Sequence, residues 1–246
     1  MDGVDFLDRD GRRLALRRRD GRAPTLVFLP GYMSDMDGGK ATALDSWAAE
    51  RGRAMLRFDY AGCGLSEGEF EDQNLALWRD DAVAMIDSIE GPVLLVGSSM
   101  GGWLMLLAAL ARPERIHALV GIAPAPDFTD WGFDSAQKAA IRETGRLVEP
   151  SPYGDAPYVT TRAFWESGES LKLLGAEIAI DCPVHLLHGL DDADVPWRIS
   201  LRLMESLRSA DARATLIKGG DHRLSRPGDI ASLIAAVASL LLDKDA

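Results

Sequence analysis

Apolar residues fall along this chain in short unbroken runs, and amphipathic stretches of helical spacing separate them. The runs are TLVFLPG (25–31), AMLRFDY (54–60), PVLLVGS (92–98), HALVGIA (117–123) and PVHLLHG (183–189). A run of this length without polar alternation predicts a strand covered on both faces, as in a parallel sheet packed between helices. Ahead of them, VDFLDRDGRRLALRRR alternates about the turn pair Asp10-Gly11 and predicts a hairpin. GKATALDSWAAERG predicts a helix stopped at Gly52. NLALWRDDAVAMIDSIEG places Leu75, Leu77, Trp78, Val83, Ile86 and Ile89 largely on one helical face. Strand and helix in alternation predict an α/β fold, a mostly parallel central sheet flanked by helices.

That rhythm breaks over residues 124–180, where prolines, glycines and aromatics surround two short helical patches. The stretch is too poor in continuous apolar pattern to form its own core. The expectation is one domain over residues 1–246 carrying a small helical, lid-like insertion. Trp131, Phe133, Tyr153, Phe164 and Trp165 are its candidates for lining an acyl groove; packing the insertion onto the sheet is the other role open to them.

Composition narrows the partners. A formal charge of -11 repels nucleic acid and anionic membrane surfaces. No apolar run approaches the roughly 20 residues needed to span a bilayer. MDGVDFLDRDG lacks the apolar core of a signal peptide, so a cytoplasmic location is expected. Cys63 and Cys182 fit no metal spacing and are too few for a disulfide framework, which predicts two reduced thiols. No metal and no organic cofactor is implied.

The chemistry gathers at Gly97-Ser98-Ser99-Met100-Gly101, a G-x-S-x-G motif between a buried strand and the apolar helix MGGWLMLLAALA. In that context the glycines let the chain turn sharply and present the central residue, Ser99, at the end of the strand. Ser98 points elsewhere and at most assists by hydrogen bonding. A serine nucleophile needs a base and an acid to orient it. His117 and His185 belong to strands and read as structural, and His188 at a strand end reads as a hydrogen-bonding residue. His222, in the glycine-flanked loop KGGDHRLS, is the candidate base. Asp191, Asp192 and Asp194 in HGLDDADVPW are the candidate acids, and spacing alone does not choose among them. The backbone N–H of Tyr32, after Pro30-Gly31, and that of Met100 are the candidate oxyanion donors. Asp59 is expected to hold a loop.

These segments resemble the α/β-hydrolase superfamily of serine hydrolases over essentially the whole chain. FLPGYMSDMDGGKA resembles its oxyanion loop, and RFDYAGCGLSEGEF the turn after its fourth strand. LVGSSMGGWLML resembles its nucleophile elbow, and LLHGLDDADVPW with GGDHR its acid and base segments. Alignment to the family's H-G-x-x-D-x-x-V-P pattern, together with Pro196, implies Asp192 as the acid. Where the family often has His-Gly in the oxyanion loop, this chain has Pro-Gly, which preserves a backbone donor. Within the superfamily the motifs are similar to the mitochondrial acyl-protein (palmitoyl) thioesterase and acyl-glucuronide esterase subfamily and its bacterial relatives. The resemblance implies a hydrolase of acyl thioesters or carboxylic esters, acting on a small molecule or an acylated protein. A general carboxylesterase or lipase-like enzyme is the alternative; a non-catalytic binding protein has no need of Ser99, Asp192 and His222 together.

Overall fold

The computed structural model describes residues 3–151 and 157–241, so Tyr153 lies outside the described residues. Among these residues ten strands and eight α-helices follow one another as β1 (Asp5–Arg9), β2 (Arg12–Arg19), β3 (Arg22–Leu29), α1 (Gly39–Glu50), β4 (Arg53–Phe58), α2 (Leu75–Asp87), β5 (Val93–Ser98), α3 (Met100–Ala111) and β6 (Ile116–Ile122). After these come α4 (Phe128–Trp131), α5 (Ser135–Thr144), β7 (Arg146–Glu149), β8 (Tyr158–Thr161), α6 (Arg162–Ser170), β9 (Val184–Gly189), α7 (Arg198–Ser206), β10 (Ala212–Ile217) and α8 (Pro227–Leu240).

Eight strands form one sheet in the order β1-β2-β4-β3-β5-β6-β9-β10. The β1–β2 and β2–β4 pairs are antiparallel, and every pair from β4 to β10 is parallel. Each apolar run of the sequence is a parallel strand, and its successive residues face opposite sides. Leu94 and Val96 of β5 join Leu44 of α1 and Val237 of α8 in one core layer. Val93 and Leu95 join Trp78 of α2, Trp103 of α3 and Leu203 of α7 in the other. A strand buried on both faces has no room for polar alternation, which is why these runs read as unbroken. Residues 100–109 of α3 are buried all round, so only the end of this helix reaches solvent.

Residues 124–180 depart from expectation in one respect. Besides helices α4, α5 and α6 the insertion holds an antiparallel pair, β7–β8, with Arg146 opposite Thr161 and Glu149 opposite Tyr158. Four-residue strands are too short to show a period. Helix α5 opens with a reciprocal capping box between Asp134 and Gln137 and ends at Gly145 with φ +87°. Asp127 fastens the start of the insertion to its end, its carboxylate accepting from Leu173 N–H and Leu174 N–H, both at 2.8 Å.

Candidate active site

Strand β5 ends at Ser98 and α3 begins at Met100, so a single residue, Ser99, makes the turn between them. Its backbone is left-handed, with φ 55° and ψ −121°, a costly conformation for a residue with a Cβ. Three backbone hydrogen bonds hold it there. Ser99 N–H donates to Ile122 O (2.9 Å), and its carbonyl accepts from Gly102 N–H (2.9 Å) and Ala125 N–H (3.0 Å). The turn also needs its glycines: a Cβ on Gly97 would lie 2.4 Å from Gly101 O, and one on Gly101 only 2.1 Å from Leu29 O. The second contact presses the start of α3 against the end of β3, which brings Met100 close to the loop carrying Tyr32. Neither Tyr32 N–H nor Met100 N–H has an intramolecular acceptor among the described residues.

His222 stands in the loop between β10 and α8, and Asp192 in the loop after β9. The two loops are joined by Asp191 N–H donating to Gly220 O (2.9 Å), with Gly189 packed so closely on Gly220 that a Cβ would lie 2.2 Å from its oxygen. The side chains form a continuous chain: Ser99 Oγ to His222 Nε2 is 3.1 Å, and His222 Nδ1 to Asp192 Oδ2 is 2.9 Å. Asp192 Oδ1 accepts from Asp194 N–H (2.9 Å) and Val195 N–H (2.8 Å). Of the three candidate acids, Asp192 turns its carboxylate inward to the imidazole. Asp191 joins the loops through its backbone, and Asp194 lies in the wall of the neighbouring cavity.

A second histidine completes the arrangement. His188 is fully buried, with Nε2 3.1 Å from Asp192 Oδ2 and 2.9 Å from Val195 O, and Nδ1 2.7 Å from Ser200 Oγ. One assignment satisfies every partner: Ser200 donates to Nδ1, and Nε2–H is shared between the carboxylate and the carbonyl. Burial alone would raise the Asp192 carboxyl, but hydrogen bonds from His188 and His222 hold it well below the usual carboxylate range. Asp192, Asp194 and His222 have donor atoms within 4.8 Å of one another, a spacing that suits a metal. Both oxygens of Asp192 are already committed to hydrogen bonds, which suits an ion-pair relay better.

Ser99 and His222 lie in the wall of a cavity of about 660 Å³. Tyr32, Phe128, Trp131, Phe133 and Tyr158 supply an aromatic side, and Asp35, Lys40 and Asp194 a polar one. Burial, with Arg223 nearby, pushes the Lys40 amine down to about 8. Trp131 and Phe133 therefore reach the cavity, whereas Trp165 does not. Trp165 is buried, its indole donating to Thr129 O (3.0 Å), with the Arg142 guanidinium over its ring at 4.6 Å. Its expected place in the groove is corrected to one in the packing of the insertion. Phe164 likewise packs inside, 5.0 Å from the Tyr32 ring. Phe128, Tyr158 and Lys40 escaped the sequence reading because they come from three separate elements with no shared motif.

The remaining candidates are structural in placement. Asp59 is buried and accepts from Met36 N–H (2.7 Å) and Leu65 N–H (2.8 Å), holding the Tyr32 loop to the loop after β4. His117 pairs with Leu240 O and His185 with Thr215 Oγ1. Both cysteines are free, with thiols pushed by burial up to about 12 at Cys63 and about 11 at Cys182. Neither is an activated nucleophile.

A family model described as the alpha/beta hydrolase family matches residues 26–233. Human mitochondrial palmitoyl-protein thioesterase ABHD10 is 38% identical over 244 residues, covering 97% of this chain and 80% of that protein. Mouse alpha/beta hydrolase domain-containing protein 10 superposes with a TM-score of 0.92 at 39% identity, covering 97% of this chain and 98% of that one. A putative hydrolase from Agrobacterium vitis S4 gives 0.91 at 37% identity, covering 98% of each chain. The expected cytoplasmic location is overturned by the curated relatives, whose names place them in the mitochondrion. That expectation rested on the lack of a targeting pattern at residue 1, where a sequence can begin for reasons unrelated to location. On the match over most of its length, the chain belongs to the alpha/beta hydrolase family.

Proposed function

We propose that this hydrolase cleaves acyl thioesters and carboxylic esters through an acyl-enzyme on Ser99. The observation that carries the reading is the hydrogen-bonded chain from Ser99 Oγ through His222 to Asp192, beside two N–H groups without acceptors among the described residues. His222 Nε2 takes the Ser99 proton as Oγ attacks the carbonyl. Asp192, kept ionised, steadies the imidazolium that forms. Tyr32 and Met100 N–H groups receive the oxyanion, and loss of one such donor typically costs about 10²–10³ in kcat. His222 then returns the proton to the departing thiol or alcohol. Water, deprotonated by the same imidazole, releases the acid and restores Ser99.

The aromatic side of the cavity suits an apolar acyl chain, and the relatives named palmitoyl-protein thioesterase act on such a group. Residues 124–180 supply most of that wall, a role in keeping with a lid over the site. The acyl ester or thioester is carried on a small molecule or a protein; the net charge of -11 disfavours nucleic acid and, among thioesters, the polyanionic acyl-CoA. Turnover of p-nitrophenyl acyl esters and S-acyl peptides by the wild type, abolished in Ser99→Ala, tests the reading. Undiminished turnover in that variant overturns it. Side-by-side rates on S-acyl peptide, acyl glucuronide and acyl-CoA rank the leaving groups, with acyl-CoA expected last.

A further inference from the structure

Tyr32 occupies two places at once. Its backbone belongs to the loop between β3 and α1, and its side chain reaches into the insertion. The phenol donates to Val159 O of β8 at 2.5 Å, and the Thr160 hydroxyl nearby stabilises its charged form. Its ring is surrounded by Phe70 (5.3 Å) and Trp78 (6.0 Å) from the body, and by Phe128 (6.2 Å), Tyr158 (6.2 Å) and Phe164 (5.0 Å) from the insertion. The loop itself has few bonds of its own. Ser34 N–H closes a turn on Gly31 O at 3.2 Å, Met33 is left-handed at φ 53°, and the next anchor is Met36 on Asp59. Tyr32 N–H has no acceptor among the described residues, so its direction is inherited from groups around it.

We propose that the Tyr32 side chain is a positioning residue: by fastening to β8 it aims its own backbone N–H at the oxyanion, so the insertion sets the quality of the oxyanion site. The proposal rests on the acyl-enzyme reading above. A donor must lie within a few tenths of an ångström of the place where charge develops, and it stabilises the transition state more than the bound substrate. Releasing the phenol therefore lowers kcat and spares KM. Burial raises the phenol well above its ordinary range, so it remains a donor throughout the working pH of the enzyme.

Tyr32→Phe removes one O–H and keeps the ring. The expected result is a fall in kcat of about tenfold with KM within about twofold, a fraction of the loss on deleting a donor outright. An acyl trifluoromethyl ketone, which adds Ser99 Oγ to its carbonyl and places an oxyanion in the same position, should bind about tenfold more weakly. The matching non-electrophilic amide should bind as before. Thr160→Val, an isosteric change on the other side of the contact, should shift kcat and ketone affinity in the same direction by about threefold. Unchanged kcat and ketone affinity in Tyr32→Phe overturns the proposal. So does parallel weakening of ketone, amide and KM, the signature of a ring that only packs the pocket. Labelling to completion by a fluorophosphonate separates the two levels: a wild type that stays unlabelled sinks the Ser99 mechanism, whereas a labelled Tyr32→Phe with full kcat sinks this inference alone.

Discussion

Two buried aspartates, one at the edge of the sheet and one at the root of the insertion, solve the same problem with opposite results. Asp192 accepts from Asp194 N–H, Val195 N–H, His222 and His188, and its carboxyl is driven down. Asp127 accepts from Leu173 N–H and Leu174 N–H, yet burial prevails over those bonds and its carboxyl is raised. The difference is two imidazole partners: backbone amides alone do not offset desolvation here, and ring N–H groups added to them do. The site region keeps a charge ready for use. The insertion uses a carboxylate as a clasp between the residue that opens α4 and the segment after α6.

The largest test of that contrast is Asp192→Asn. Loss of the charge that steadies His222⁺ should lower kcat by about 10²–10⁴ with the fold retained, read as steady-state ester hydrolysis beside a circular dichroism melt. A fall of less than tenfold would remove Asp192 from the relay. Asp127→Asn should leave kcat near wild type and cost about 1–3 kcal/mol, because the amide NH₂ faces a backbone donor it cannot accept from. Urea unfolding measures this, and an unchanged midpoint would show the clasp to be idle. His188→Gln should lower kcat by about tenfold, the equivalent of one charge-assisted bond of about 1.5 kcal/mol.

The pH dependence separates the two aspartates by sign. Asp192 is depressed in the fold, so its stabilisation is present above the unfolded value of about 3.9 and is lost as pH falls below it. The deficit of Asp192→Asn should therefore grow as pH rises from about 3 to 5. Asp127 is raised, so the wild type is favoured while that carboxyl is protonated and loses ground as pH climbs above about 3.9. The deficit of Asp127→Asn should shrink over that climb, each slope staying under about 1.4 kcal/mol per pH unit. Slopes of the same sign would refute the comparison. The smallest effect is expected for Trp131→Ala, which opens the aromatic wall: the kcat/KM ratio of long to short acyl esters should change by about fivefold, read across a chain-length series.

How far these regions could be read from sequence follows the same division. Strands β3, β5, β6 and β9 were legible because burial on both faces enforces apolar runs, and Ser99 because one tight turn demands glycines at fixed spacing. Asp192, Asp191 and Asp194 were inseparable by spacing alone, since the choice depends on which carboxylate folds back over its own loop onto Asp194 N–H and Val195 N–H. The contact of His188 with Asp192 was hidden for the same reason. In the insertion, β7 and β8 are four residues each and Trp165 looks like any groove aromatic. Its inward turn is decided by Thr129 O and Arg142, which come from other elements.

The union of the loops that carry Asp192 and His222, through Asp191 N–H and Gly220 O, has a consequence for how the molecule opens. Their strands, β9 and β10, lie at one end of the sheet, and β10 is the edge. Ser99 comes from β5, in the middle, where amides are shielded on both sides. Fraying that begins at β10 is expected to carry His222 and Asp192 away as a pair and to leave Ser99 seated. In hydrogen exchange, the amides of 212–222 should open together with those of 189–195 and well before those of 93–102. On the proposed mechanism, the enzyme would then pass through a state that is folded, holds Ser99 in place, and is silent for want of His222.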